Sequence, residues 1–139
     1  LEENSKLAKQ IEEFNKEKAK LIKSELITKI EKIGEIQFIG SIVQLDSAAI
    51  IKDLSFQLKN EVENLILVLG AELDGKANLS LMISDNLVKD KKLNAGQIIR
   101  EIAKEIDGGG GGQPFYATAG GKNKEGLTKA IEKVKTFIN

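Results

Sequence analysis

Gly108-Gly109-Gly110-Gly111-Gly112-Gln113-Pro114-Phe115-Tyr116-Ala117-Thr118-Ala119-Gly120-Gly121-Lys122 is the stretch on which the reading of this chain turns. Each glycine loses more backbone freedom on ordering than alanine would, about 0.5–1 kcal/mol. Five in a row are therefore costly to hold in one shape. A flexible linker escapes that cost by staying unordered. Linkers, however, are usually rich in serine and lead into a new domain. Here an apolar-aromatic run and a second glycine pair follow at once, and a single helix-length segment remains after them. The stretch reads better as an ordered loop whose bare backbone N–H groups lie against something large, with phosphates the best fit.

On the C-terminal side, Asn123 is placed to cap a last helix, with Leu127, Ala130, Ile131, Val134 and Ile138 inward and Lys129, Lys133 and Lys135 outward. Phe115 to Ala119 is expected to form a small edge strand. On the N-terminal side, Asn94 with Gln97 resembles a capping box opening a helix that carries Ile98, Ile99, Ile102, Ala103 and Ile106. Asp85 or Asn86 opens a short polar helix or turn to about Lys92. Ala77, Leu79, Leu81 and Ile83 alternate with Asn78, Ser80, Met82 and Ser84, the pattern of a half-buried strand. Asp74-Gly75 supplies a two-residue hairpin turn of the primed type. Leu65 to Ala71 has no charged or hydroxyl residue and reads as a central strand.

Further upstream, Asp46 or Ser47 caps a helix carrying Ile50, Ile51, Leu54 and Leu58, and Glu35 to Leu45 alternates as a strand. Glu2 to about Ile33 lacks glycine and proline and reads as one long helix closed by Gly34. Its apolar seam runs through Leu7, Ile11, Phe14 and Leu21, then shifts by one position to Ile22, Leu26, Ile30 and Ile33. A helix of that length spans about 45–50 Å. It is too long to bury its whole stripe on the domain that follows. Two uses fit equally: coiled-coil pairing with a partner helix, or packing against a helix lying elsewhere in a longer protein. Leu1 in place of an initiator methionine suggests a piece of such a protein.

The 139 residues suit one domain with a real core, and the formal net charge is zero. Bulk charge therefore announces no nucleic-acid partner. The charges are nonetheless segregated. From Gly108 onward five lysines stand against two glutamates. Between Asn86 and Lys104, Lys89, Lys91, Lys92, Arg100 and Lys104 stand against Asp90 and Glu101. Ordinary solvated lysine faces would look the same. Histidine and cysteine are both absent. Their absence excludes disulfides, Cys/His zinc sites, and catalysis by Ser-His-Asp, Cys-His or a histidine base. There is no secretory signal and no apolar run long enough to span a bilayer.

The phosphate-loop motifs fail. A Walker loop needs Gly-Lys-Ser/Thr, but Asn123 follows Gly121-Lys122, and Tyr116 occupies the place of the first glycine. A dinucleotide fingerprint should follow a strand, and its third glycine would fall on Gln113, Pro114 or Phe115. What remains is a glycine-rich loop, a second glycine pair and a helix N-terminus flanked by Lys122 and Lys124, all able to aim N–H groups at one point.

Glycine run, polar residue, proline, two residues, then Ala117-x-Ala119-Gly120-Gly121-Lys122 and a short amphipathic helix resembles the C-terminal end of alanyl-tRNA synthetases. The globular part is similar to the DHH-associated domain of DHH-type phosphoesterases. In outline the resemblance covers the whole chain. It implies a non-catalytic tRNA-binding module that follows the aminoacylation and editing domains, whose helical part can support dimerisation. By match of motif, Gly108, Gly109, Gly110, Gly111, Gly112, Gln113, Gly120, Gly121, Lys122 and Lys124 would face RNA. Gln113 departs from the pattern, since relatives often carry a basic residue there. Catalytic and metal-binding roles do not carry over, because the centres concerned need histidines.

The expectation is thus an α/β fold: a mixed β-sheet packed with helices, preceded by a long N-terminal helix. Residues 1–34 form a helical, coiled-coil-like segment and 35–139 a globular domain. Function is expected to be binding of alanine-specific tRNA through phosphates and shape, in the cytoplasm, with no cofactor, no metal and no membrane. The rival is a homodimerisation or protein-interaction module acting through the helix. Phosphodiester hydrolysis comes third, since Asp46, Asp53, Asp74, Asp85 and Asp90 lack any histidine beside them.

Overall fold

The computed structural model describes the backbone of residues 2–45 and 47–138 and, in the first helix, the side chains of residues 10, 13, 14 and 16 onward. Helix α1 (Glu2–Thr28) stops short of Ile33. Residues beyond it turn into strand β1 (Glu31–Ile33), which pairs antiparallel with β2 (Ile36–Ile42). Gly34 is therefore not a helix cap. It takes a left-handed φ of 63° in the tight turn of this hairpin.

Helix α2 (Ala48–Glu61) crosses over from β2 to its parallel neighbour β3 (Leu65–Leu73). The Ser47 side chain caps it, accepting from the Ile50 N–H; Asp46, the alternative cap, lies outside the described residues. Asp74 and Gly75, with φ of 52° and 76°, make the primed turn into β4 (Lys76–Ile83). Two short helices follow, α3 (Asp85–Asp90) and α4 (Ala95–Ile102). Asn94 Oδ1 caps α4, accepting from the Gln97 N–H at 3.2 Å.

A 3-10 turn (Ala103–Ile106) leads to β5 (Gly108–Gly112), then β6 (Tyr116–Gly121), a second 3-10 turn (Lys124–Gly126) and α5 (Leu127–Ile138). The six strands lie in the order β1-β2-β3-β4-β6-β5, parallel only between β2 and β3. The mixed sheet is as expected, but the glycine run is a strand rather than a loop. Being last in the order, it takes the edge position expected of Phe115–Ala119. Of that stretch, Tyr116–Ala119 belongs to β6 and is interior, and Phe115 precedes the strand.

Alternation decides the layers. On one face Phe38, Ile66, Val68, Leu79 and Leu81 pack against Ile98 and Ile102 of α4 and Ile131 and Val134 of α5. On the other, Ile39, Leu65, Leu67 and Leu69 pack against Leu54 and Leu58 of α2 and Leu26 of α1. Strand β3 is buried on both faces, as its uninterrupted apolar run requires. Two strand residues are bare where α5 crosses them: a Cβ on Gly40 would sit 2.7 Å from Ile131 Cγ2, and one on Gly70 3.2 Å from Leu127 Cδ2.

The shift in the α1 seam now has a cause. Ile22 and Leu26 belong to the half that reaches the core. Phe14 and Leu21 belong to the half that does not, and are 66% and 68% exposed. The Leu7 and Ile11 side chains lie outside the described residues.

Candidate nucleic-acid interface

Strand β5 is made possible by its lack of side chains. A Cβ on Gly108 would lie 1.9 Å from the Gly120 carbonyl oxygen, and one on Gly110 would lie 2.2 Å from the Thr118 oxygen. On Gly112 it would come within 2.6 Å of the Tyr116 oxygen. These three positions need glycine because β6 approaches their backbone, so the steric demand comes from the protein itself. Gly109 and Gly111 differ. A Cβ on Gly109 meets nothing within 4 Å, and one on Gly111 meets only the Arg100 guanidinium, 3.5 Å away at Nε.

The ends of β5 are fixed by hydrogen bonds. The Asn123 N–H donates to the Ile106 carbonyl, and the Gln113 N–H to that of Tyr116. The Ala95 N–H holds the Pro114 carbonyl, tying the β5–β6 turn to the start of α4. The second glycine pair has two roles. Gly121 is crowded, since its Cβ would fall 2.2 Å from the Ile106 oxygen, whereas Gly120 has only ordinary contacts at 3.9 Å.

The candidate residues do not converge on one point. Gln113 lies beyond one end of β5, and Lys122 and Lys124 lie beyond the other, separated by a strand of five residues, about 16 Å. The last helix does not present a capped N-terminus to the glycines. The Asn123 amide makes no capping bond and instead donates to the Glu105 carbonyl at 3.5 Å, while Gly126 is pressed against that same oxygen. Lys124 is paired with Glu72 at 3.2 Å. Lys122 is exposed and, among the described residues, has no ion pair. What the structure assembles is an open edge with two lysines beyond one end and neutral Gln113 beyond the other.

Two features beside this edge escaped the sequence reading. One is Arg100, exposed on α4 and without a hydrogen bond or ion pair among the described residues. The other is a groove of about 440 Å³ on the α2 side of the sheet. Its walls are Ile51, Leu69 and Leu73, its floor Ser80 and Thr118, and its outer rim Gly109 to Gly111. The register sets this arrangement, placing Ser80 opposite Thr118 and Thr118 opposite Gly111.

Ser80 is 5% exposed, and among the described residues its hydroxyl oxygen is enclosed without a well-formed hydrogen bond. Tyr116, on the groove wall, stacks at a tilt on Phe56 with centroids 5.6 Å apart. Burial raises the Tyr116 phenol above its ordinary pKa, with the nearby Ser80 hydroxyl pulling the other way. The phenol therefore stays a neutral donor through the physiological range.

The DHHA1 domain family matches residues 35–139 of the chain. The chain belongs to the DHHA1 domain family. Over 137 residues it is 54% identical to the alanine–tRNA ligase of Christiangramia forsetii, covering 99% of this chain and 16% of that protein. The alanine–tRNA ligase of Cytophaga hutchinsonii is 52% identical over 138 residues, with the same coverage. This DHHA1 chain thus spans 16% of the length of these relatives. Its fold is similar to the crystal structure of the C-Ala domain from Aquifex aeolicus alanyl-tRNA synthetase. The TM-score is 0.69 at 23% identity, over 78% of this chain and 96% of that one. The resemblance drawn from the glycine motif is borne out. The described residues contain no helix long and apolar enough to cross a membrane.

Proposed function

We propose that this DHHA1 domain is a non-catalytic tRNA-binding module of a cytoplasmic alanyl-tRNA synthetase, serving aminoacylation and editing by holding alanine-specific tRNA. The observation that carries this reading is the bare outer edge of β5. Gly109 and Gly111 offer backbone unshielded by any Cβ, and a phosphodiester can approach it as it could not approach a strand with side chains. Lys122 at one end adds a cation without an ion pair among the described residues, and Lys124 adds a second at the cost of its exposed pair with Glu72. Gly108, Gly110, Gly112 and Gly121 act indirectly, by permitting the strand, while Gly120 and Gln113 border it. No cofactor is needed for such binding.

Titration of labelled tRNA against the chain at two salt concentrations tests the proposal. Affinity should fall steeply with salt as phosphate contacts release counterions, and Lys122→Ala should reduce the slope by about one contact. A salt-independent affinity, or none, overturns it. The exposed Phe14 and Leu21 favour a second reading alongside the first, in which α1 pairs two copies of the chain.

A further inference from the structure

Resting on the RNA-binding reading for its consequence, we infer that Lys59 of α2 is a positioning residue for the glycine edge. It clamps the Phe115 ring, and with it the turn that fixes where β5 lies. The need for a clamp follows from the strand's composition. Side chains set the register of a strand, and a glycine-rich strand has it only weakly specified. In β5 every residue is glycine, so a slide along β6 displaces no side chain of its own. The hold has to come from its ends. It matters, because the arrangement seen turns Gly108, Gly110 and Gly112 against β6 and leaves Gly109 open.

At one end the hold is backbone, the Asn123 N–H donating to the Ile106 carbonyl at 2.9 Å. At the other end the chain turns through Gln113, Pro114 and Phe115. Three backbone bonds of 2.8 Å tie this turn: the Gln113 N–H to the Tyr116 carbonyl, the Ala95 N–H to that of Pro114, and the Ile83 N–H to that of Phe115. Gln113 and Pro114 are exposed. Phe115, half-buried against the α2 layer, is the side chain by which the turn is held.

Lys59 grips that ring. Its Nζ stands 4.8 Å from the centre of the Phe115 ring and 5.9 Å from that of Phe56, and pairs with Asp85 Oδ1 at 3.0 Å. The Lys59 side chain is only 16% exposed, whereas that of Asp85 is 72% exposed. An ammonium drawn out of water onto a ring is attracted to it more strongly than one at the open surface. A lysine that served solubility would instead reach into solvent. Asp85, in the first turn of α3, holds the charge in place. One cation thus joins α2, α3 and the β5–β6 turn.

Amide hydrogen exchange of the isotope-labelled chain tests the clamp without RNA. Lys59→Met keeps an apolar stem and removes the charge. It should speed exchange of the Gln113 and Ala95 amides, which bond the turn, about threefold to tenfold, and leave the amides of β3 as in the parent. Lys59→Arg, whose guanidinium also stacks on a ring and pairs with a carboxylate, should restore the parent rates. In a Phe115→Leu background Lys59→Met should lose most of its effect, since the ring it acts on is gone. Freed glycines have many shapes to take, and the held one presents Gly109 to a phosphate. Lys59→Met should therefore weaken tRNA binding severalfold. The salt dependence should stay that of the parent, because Lys59 itself meets no phosphate.

The inference is overturned if Lys59→Met exchanges like the parent at Gln113 and Ala95, or speeds β3 equally. It is also overturned if the effect of Lys59→Met is undiminished in the Phe115→Leu chain. Unchanged tRNA affinity in the loosened chain, or a reduced salt slope, overturns the positioning role as well. A parent that binds no tRNA, with turn amides freed by Lys59→Met, removes the RNA reading and leaves the clamp standing.

Discussion

Gly109 and Gly110 are neighbours of one residue type and should respond oppositely to the same change. A methyl group on Gly110 has to enter the backbone of β6, so Gly110→Ala should cost about 1–3 kcal/mol or more. On Gly109 it meets open space, and loss of unfolded-state entropy should raise stability by about 0.4–1 kcal/mol. Denaturant melts of the two variants check this; equal midpoints would contradict the close approach of the strands. Tyr116, the one tyrosine in a chain without tryptophan, gives a second residue-scale test. Its ultraviolet titration should have a midpoint above the ordinary 10.0. The folded chain holds that proton more tightly than the unfolded one, so the contribution is intact below pH 10 and is lost as pH rises through the folded value. A midpoint at or below 10.0 would mean that the phenol is solvated.

Helix α1 is divided between two tasks. Its C-terminal half is anchored by buried Leu26 and by Lys23 paired to Glu61 of α2 at 2.9 Å. Its exposed Phe14 and Leu21 can be charged without touching that core. Phe14→Glu with Leu21→Glu should shift a self-associating chain toward the monomer in sedimentation while leaving its melting temperature unchanged; a parent that is already monomeric at high concentration rules out the pairing. The elements were legible wherever side chains alternate or recur. The seam through Ile22 and Leu26, the Asp74-Gly75 turn, the run Leu65–Ala71 and the Asn94 cap all appear as read. The glycine strand was not legible, because a strand is recognised by its side chains and β5 has none. Its strand form follows from pairing with β6, a tertiary fact. The groove and Arg100 were hidden for the same reason: residues 51, 80, 100, 111 and 116 meet only once strand order is known.

At the scale of the whole molecule, α5 closes one face of the sheet. Leu127, Ala130, Ile131 and Val134 are all buried, and Gly40 and Gly70 on β2 and β3 are hollowed to receive them. A chain ended at Gly126 should therefore lose cooperative unfolding and bind hydrophobic dye; a sharp two-state melt would show the remaining layers to be self-sufficient. The strands beneath α5 lie some ninety residues earlier in the sequence than Ile131 at Gly40, and about sixty earlier at Gly70. On a ribosome adding about 5–20 residues per second, Phe38 and Val68 emerge several seconds before the helix that shelters them. Through that interval the nascent sheet has one dry side and one wet side, and it is during synthesis, rather than after it, that this domain is most in need of a chaperone.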